Sequence, residues 1–178
     1  MQNKRLARIH FILVGVAVSS LFLSGIARAQ THTNEKYTSK EGGFSVKIPG
    51  DPKLKSQNVD SQSGPTVLYT FTVEESDGKS FYMVGYSDYP TKLDGTASLD
   101  GVISAQVESI KGTVTSDKKI TLSGHLGRSV TIETDENVFY SSVYIAGNRL
   151  YQVMYGMPKG DKLPEVGRRF LSSFEILI

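Results

Sequence analysis

From residue 43 onwards, apolar and polar residues alternate in short runs, with a period of two that is typical of β-strands. The first run covers residues 44–48 and ends at a Pro-Gly turn. Two longer runs, 66–74 and 79–87, are separated by an Asp-Gly pair, which favours a hairpin because both residues tolerate positive φ. The second of these is apolar on both faces, so we predict that it lies inside a sheet. Residues 51–64 are polar and rich in turn formers, and we expect a loop there, with at most a short edge strand.

Two stretches change to a helical period. Between residues 99 and 110 apolar side chains recur every three or four positions, which predicts an amphipathic helix of about 14 residues. The apolar positions are Leu99, Val102, Ile103, Val107 and Ile110. We expect Ser98 to cap the N-terminus of this helix and Gly112 to occupy the C′ position after it. A second helix is predicted over 163–171, with Pro164 in its first turn.

The remaining residues have the strand period. Strands are predicted over 113–122, 127–134, 137–145 and 149–155, and a last strand over 174–178 closes the sheet. The breaks between them are short, which indicates an antiparallel arrangement, because parallel neighbours need crossovers of about a dozen residues. The pattern therefore predicts a single α+β domain at 43–178, in which two main helices flank an antiparallel sheet of six to eight strands.

The N-terminus has the three parts of a secretory signal peptide. A basic segment at 1–8 precedes an almost unbroken apolar run at 9–26, and residues 27–29 have the small-x-small form that signal peptidase cleaves. We therefore expect residues 1–29 to be removed and the polar residues 30–42 to form a flexible tether. The alternative is a permanent membrane anchor, since the run approaches the ~20 residues that span a bilayer. The polar stretch favours cleavage, so we predict an exported bacterial protein, periplasmic or extracellular, with no stable anchor.

Composition narrows the classes of function. The 178 residues include 20 Lys and Arg against 18 Asp and Glu. Four of the basic residues and none of the acidic ones lie in 1–29, so the formal charge changes from +2 for the whole chain to −2 for the rest. This charge argues against nucleic acid as a partner. The chain has no cysteine, which excludes thiol chemistry, disulfides and a lipidated cysteine.

No motif in the chain indicates catalysis. A Gly-x-Ser-x-Gly elbow, a His-Glu-x-x-His helix and a phosphate loop are all absent from the sequence. His125 is the one histidine within 43–178, and its position between two predicted strands is typical of a surface turn. We therefore predict no catalytic residue and no cofactor. Carboxylates that can bind calcium occur at Asp77, Asp88, Asp94 and Asp100, but their spacing matches no EF-hand loop, and we predict no metal site.

Tyrosines are the residues that most suggest a binding surface. Three predicted strands each carry two tyrosines four positions apart, so each strand sets its tyrosines on one face. They are Tyr82, Tyr86, Tyr140, Tyr144, Tyr151 and Tyr155. If the three faces coincide, they form an aromatic groove with hydroxyl tips that suits a peptide, a glycan or a hydrophobic small molecule. The alternative is an inner layer between sheet and helix. The candidate partner or ligand surface comprises these six tyrosines with Asp88, Tyr89 and Asp94.

Several stretches resemble one known family. Gly-Phe-Ser-Val-Lys-Ile-Pro at 43–49, Ser-Asp-Tyr-Pro at 87–90 and Arg-Phe-Leu-Ser-Ser-Phe at 169–174 are similar to bacterial exported domains related to PsbP, the lumenal extrinsic protein of photosystem II. The resemblance covers about residues 43–178 and implies a PsbP-like α/β/α sandwich, an antiparallel sheet between helices. It does not imply photosynthesis, because a fold does not determine a function.

These observations lead to two hypotheses about function. The first is an exported, non-enzymatic domain that binds a protein of the cell envelope through exposed aromatic residues or through the loop 88–94. The second is a carrier that holds a small molecule or lipid in an aromatic-lined cavity between sheet and helix. The sequence leaves the oligomeric state open.

Overall fold

The computed structural model describes residues 36–61, 64–75 and 78–178. The predicted signal peptide at 1–29 and residues 30–35 of the predicted tether lie outside these ranges. The described residues form ten strands and two helices. The strands are β1 (Lys36–Ser39), β2 (Phe44–Lys47), β3 (Lys53–Ser61), β4 (Gly64–Glu74), β5 (Phe81–Asp88), β6 (Thr113–Leu122), β7 (His125–Glu133), β8 (Asn137–Ala146), β9 (Arg149–Pro158) and β10 (Glu175–Ile176), and the helices are α1 (Gly95–Ile110) and α2 (Glu165–Ser172).

Seven strands form one antiparallel sheet in the order β3-β4-β5-β9-β8-β7-β6. β5 lies inside this sheet, between β4 and β9, as its two apolar faces predict. α1 packs against one face. The other face is covered by α2 and by a second antiparallel sheet in the order β1-β2-β10. The α+β class is therefore confirmed. No helix within the described ranges is both long enough and apolar enough to cross a bilayer.

The two faces of the seven-stranded sheet have different cores. One, here called the tyrosine face, carries the tyrosines of β5, β8 and β9, and its buried apolar residues form one continuous cluster with Phe44, Phe170 and Phe174 from the covering layer. The opposite face, here called the α1 face, is covered by α1, and its buried apolar residues form two separate clusters.

Two predictions near the N-terminus are corrected. Lys36–Ser39, predicted as part of the flexible tether, forms β1 and pairs with β2. The ring of Tyr37 anchors this strand, since it lies 5.6 Å from the ring of Phe71. The predicted loop at 51–64 contains the nine-residue strand β3. β3 is an edge strand with mostly exposed side chains, so it lacks the apolar alternation that marks inner strands.

The final strand also differs from the prediction. β10 has two residues, and it pairs with β2 in the small sheet instead of closing the large one. The hydrogen bond from the Leu177 N–H to the carbonyl of Gly43, 2.8 Å long, extends this pairing. The C-terminal residues therefore help to cover the tyrosine face.

α1 ends at Ile110 as predicted, but its start and its capping residues differ from the prediction. The helix begins at Gly95, and Asp94 takes the N-cap position predicted for Ser98. At the other end Lys111 has φ 54°, so Lys111 and not Gly112 is the left-handed residue. The Gly112 N–H donates to the Val107 carbonyl at 3.1 Å, which completes a Schellman motif. Gly112 is required for another reason: a Cβ there would lie 2.6 Å from Cγ2 of Ile132.

Candidate functional site

The tyrosine pairs of the three central strands meet on one face, as their spacing allows. In the register of the sheet, Tyr86 lies opposite Tyr151, which lies opposite Tyr144. A second row of the same face contains Tyr82, Tyr155 and Tyr140 in the same order of strands. The six rings therefore form two parallel rows across β5, β9 and β8.

This layer is interior, which is the second of the two arrangements considered for it. Five of the rings are between 0% and 7% exposed, and Tyr140 is half-buried. Phe170 of α2 packs edge-on against Tyr82, with ring centroids 5.2 Å apart. Phe174 stacks on Tyr144 at 5.8 Å. In the described fold these tyrosine rings therefore belong to the core and do not form a partner surface.

The hydroxyls of two buried tyrosines have hydrogen-bond partners at the margins of the layer. Tyr82 donates to Oε1 of Glu75 at 2.5 Å, and burial together with this carboxylate raises the pKa of Tyr82. Tyr151 donates to the carbonyl of Gly42 at 2.8 Å. These two bonds tie the turn after β4 and the turn after β1 to the rings beneath them.

An arginine that joins three elements lies at the end of β9. Nε and Nη2 of Arg149 each donate to an oxygen of Asp88 at 2.6 Å, and Nη1 donates to the carbonyl of Glu41 at 3.0 Å. The guanidinium also lies over the ring of Tyr86, 4.9 Å from its centroid. The bonds that Arg149 donates to Asp88 raise the pKa of Arg149, so the guanidinium stays charged. The carboxylate of Asp88 remains about half exposed beside this pair.

The loop between β5 and α1 is held at both ends and exposed in the middle. Tyr89 and Leu93 are buried, whereas residues 90–92 are exposed. The Tyr89 N–H donates to the Asn148 carbonyl at 2.9 Å, and the Leu93 N–H donates to the Gly147 carbonyl at 3.2 Å. The amide of Asn148 donates back to the Tyr89 carbonyl at 2.8 Å. The turn between β8 and β9 therefore fixes this loop. Burial raises the pKa of Tyr89 to about 12.

We call the exposed surface of this region the loop end, defined as residues 90–92 with Asp88, Asp94 and Arg149. Of the nine residues predicted as a partner surface, Asp88 and Asp94 are exposed here and Tyr89 anchors the loop from below. The other six form the interior rows. The structure thus separates the predicted set into an exposed loop and a buried layer.

The aspartates considered for calcium that the structure describes do not converge. Asp88 pairs with Arg149, and Asp100 pairs with Arg128, which lies on β7. Asp77 lies outside the described residues. Within the described ranges, no three His, Asp or Glu side chains are grouped as a metal ion requires.

An open depression of about 580 Å³ lies at the opposite end of β8 and β9 from the loop end. Its lining includes Phe139, Ile110, Glu133 and Lys159. Lys159 contacts Glu133 at 2.8 Å and holds the pKa of that carboxyl below its usual range. None of the nine predicted residues lines this depression.

The sequence did not indicate the ion pair between Asp88 and Arg149, because the two residues are 61 positions apart. They face each other only through the pairing of β5 with β9. A local signal did exist for the loop, since an aspartate, a tyrosine and a proline follow a strand that is apolar on both faces. That signal indicates a turn but not its anchoring to the turn between β8 and β9.

Comparison with known proteins finds similarity among solved structures. No family model matches the chain, and no curated protein matches it. One solved structure that the chain matches is that of a protein from Bacteroides thetaiotaomicron VPI-5482, with 13% sequence identity and a TM-score of 0.40. The match covers 80% of this chain and 48% of that one, so this chain spans about half the length of that protein.

Proposed function

We propose that this protein is an exported, non-enzymatic domain that binds a protein of the cell envelope through its loop end. The observation that supports this proposal most directly is the anchoring of the loop after β5. Its tip is exposed, while Tyr89 and Leu93 are buried and three hydrogen bonds join it to residues 147 and 148. A loop on a rigid scaffold is a common location for binding residues.

Rigidity at the loop end reduces the cost of binding. A loop that already has its bound conformation loses little conformational entropy when a partner arrives. The surface also presents charges of both signs, with Lys92 at the tip and the carboxylates of Asp88 and Asp94 beside it. Such a pattern sets the orientation of a partner and the salt dependence of its association.

The burial of the tyrosine rows favours this proposal over a carrier. A carrier of the kind considered requires open space beside the tyrosines, and the rings are in contact with Phe170 and Phe174 instead.

Export is proposed from the signal-peptide pattern of residues 1–29 alone. We also propose that the domain is a PsbP-like sandwich, which is supported by a central antiparallel sheet with one main helix on each side.

The binding proposal is tested by capture of partners from a solubilised envelope fraction on the immobilised protein. The double variant Thr91→Arg/Lys92→Glu changes the shape and charge of the exposed tip without touching Tyr89 or Leu93. We expect the dissociation constant of a captured partner to rise at least tenfold, or about 1.4 kcal/mol. Lys162→Glu, the same substitution as Lys92→Glu but in the exposed segment before α2, serves as the control and should leave binding unchanged.

Two results would contradict the binding proposal. One is equal capture by the wild type and the tip variant when both have the same thermal stability. The other is turnover by the purified protein in a broad hydrolase panel, since the proposal is non-enzymatic. Export has a separate test: N-terminal sequencing of protein from the periplasm and medium should find a chain that begins at Gln30.

A further inference from the structure

A layer of polar side chains lies buried between α1 and the sheet. Nε2 of Gln106, on α1, donates to Oε1 of Gln152, on β9, at 2.8 Å. These residues are 1% and 2% exposed. Ser87 of β5 and Ser141 of β8 lie on the same face, in the rows on either side of Gln152. We call Gln106, Gln152, Ser87 and Ser141 the polar layer.

The polar layer is incompletely satisfied. Oε1 of Gln106, Nε2 of Gln152 and the hydroxyls of both serines are buried and have no hydrogen-bond partner among the described residues. A buried polar group without a partner costs free energy, because it has given up its bonds to water. The packing of α1 on the sheet therefore has a free-energy cost at these atoms, and this cost is removed when water reaches them.

The polar layer also divides the apolar contacts of α1. Leu99 and Val102 belong to one buried cluster, and Ile103 belongs to another. On β9, Leu150 belongs to the first cluster and Met154 to the second, with Gln152 between them. α1 thus rests on two small apolar patches instead of one continuous core.

The N-terminal end of α1 provides little additional stability. The side chain of Asp94 makes no capping hydrogen bond, and the first turn contains no acidic residue. Lys111 adopts the left-handed conformation that favours glycine. A latch on the outside joins Asp100 of α1 to Arg128, which also binds Asp117 of β6. The carboxylate of Asp100 is 58% exposed, so water and salt weaken this latch.

We propose that α1 is a lid that opens from the seven-stranded sheet as a unit while the tyrosine face stays intact. Opening hydrates the polar layer and breaks the contact between Asp100 and Arg128. Glycines at both ends of the lid, Gly95 and Gly112, supply the backbone freedom that a hinge requires. This inference goes beyond the proposed function, since it concerns the α1 face and does not involve the exposed tip at residues 90–92.

Hydrogen exchange followed by mass spectrometry tests the lid on the purified protein at neutral pH. Peptides from α1 should exchange their hydrogen-bonded amides at least 100-fold faster than peptides from β8 and β9, because opening of the lid requires less free energy than global unfolding. Equal protection of α1 and the central strands would overturn the proposal, since α1 would then open only when the whole domain unfolds.

Two test variants, one that weakens the latch and one that removes the buried amides, show whether exchange in α1 depends on these contacts. Asp100→Asn releases the latch and should accelerate exchange in α1 about threefold without changing β8 and β9. Asp161→Asn, an exposed carboxylate in the segment before α2, is the matched control and should change neither. If Asp100→Asn accelerates α1 and the central strands equally, α1 is not a separate unit and the proposal fails.

The second variant closes the lid. Gln106→Leu/Gln152→Leu replaces both amides, joins the two apolar patches and should slow exchange in α1 at least tenfold. Faster exchange in α1 of a folded double variant would show that the amide pair holds the helix closed, which contradicts the proposal. If the double variant does not fold, the decision rests on the wild type and Asp100→Asn.

Discussion

The two faces of the seven-stranded sheet both bury polar atoms, but they do so with different results. On the tyrosine face, Tyr82 and Tyr151 bury their rings in the layer and place their hydroxyls at its margin, where Glu75 and the Gly42 carbonyl accept their hydrogens. On the α1 face, the amides of Gln106 and Gln152 meet in the middle of the interface, and two of their polar atoms have no partner among the described residues.

Whether a buried polar atom has a hydrogen-bond partner depends on where it lies in the layer. A tyrosine is long enough to carry its hydroxyl from the core to the rim, where backbone carbonyls and carboxylates are available. A glutamine or serine at the centre of a face finds only the groups that pack directly on it. The tyrosine face therefore has one continuous apolar cluster, and the α1 face is divided and holds buried polar atoms without partners among the described residues.

The largest predicted loss of stability follows the removal of Phe44, which lies at the centre of the aromatic cluster on the tyrosine face. Its fully buried ring lies within 6.4 Å of the rings of Tyr151, Tyr86 and Phe174. We expect Phe44→Ala to lower the free energy of unfolding by about 3–5 kcal/mol, measured by urea denaturation. Leu54→Ala, at a side chain that is 55% exposed, is the control and should cost less than about 0.5 kcal/mol. Similar losses in both variants would contradict a core centred on Phe44.

A double-mutant cycle tests the amide pair of the α1 face. Gln106→Leu leaves the amide of Gln152 buried without its partner and should lower the free energy of unfolding by about 1–3 kcal/mol. Adding Gln152→Leu should more than recover this loss, because no unpaired amide remains and the two apolar patches join. The coupling between the two sites is read from denaturation of the four proteins. Additive losses would mean that the two glutamines do not act as a pair.

A matched pair of tyrosine variants compares the faces directly. Tyr82→Phe removes a hydroxyl that bonds Glu75 and should lower the free energy of unfolding by about 1 kcal/mol. Tyr89→Phe removes a buried hydroxyl that has no partner among the described residues, and should leave stability unchanged or slightly higher. Both are compared with the wild type by thermal and urea denaturation at pH 8. A larger loss of unfolding free energy in Tyr89→Phe than in Tyr82→Phe would contradict the difference inferred between the two faces.

The smallest predicted effect is a loss of stability in alkali. An unfolded tyrosine has a pKa of 10.0, and burial raises that of Tyr89 to about 12. Above pH 10 the unfolded chain therefore releases protons that the folded chain retains, so the free energy of unfolding falls as the pH rises from 10 to 12. Urea denaturation at pH 8 and at pH 11 measures the loss, and Tyr89→Phe should reduce it. An unchanged pH dependence in Tyr89→Phe would mean that the loss of stability comes from the other buried tyrosines.

Local patterns predicted the regular elements of the sheet well. The hairpin of β6 and β7 follows from Ser123-Gly124, and both residues have positive φ in the structure. The central strand β5 follows from its two apolar faces. Local patterns failed at β3 and β1, where exposed edge strands have no apolar alternation, and at β10, where two residues add to a sheet that the sequence does not reveal.

The candidate site shows the same division. The exposed loop after β5 was predicted from its own residues, whereas its anchoring depends on Asn148, 59 positions away from Tyr89. Gln106 stands three residues after Ile103 on the predicted apolar face of α1, so the sequence contained a sign of a buried amide there. Nothing near it in the chain indicated Gln152 as its partner.

Periodicity, turn residues and charge are local properties, and they were enough to assign the α+β class, the central strands and the two helices. The pairing of Asp88 with Arg149, the burial of the tyrosine rows and the meeting of two glutamines under α1 depend on which strands become neighbours. Strand order arises from contacts between residues that are far apart in the chain, and a single sequence carries no local record of those contacts. Only the tertiary structure therefore decided which polar residues are exposed for binding and which are enclosed.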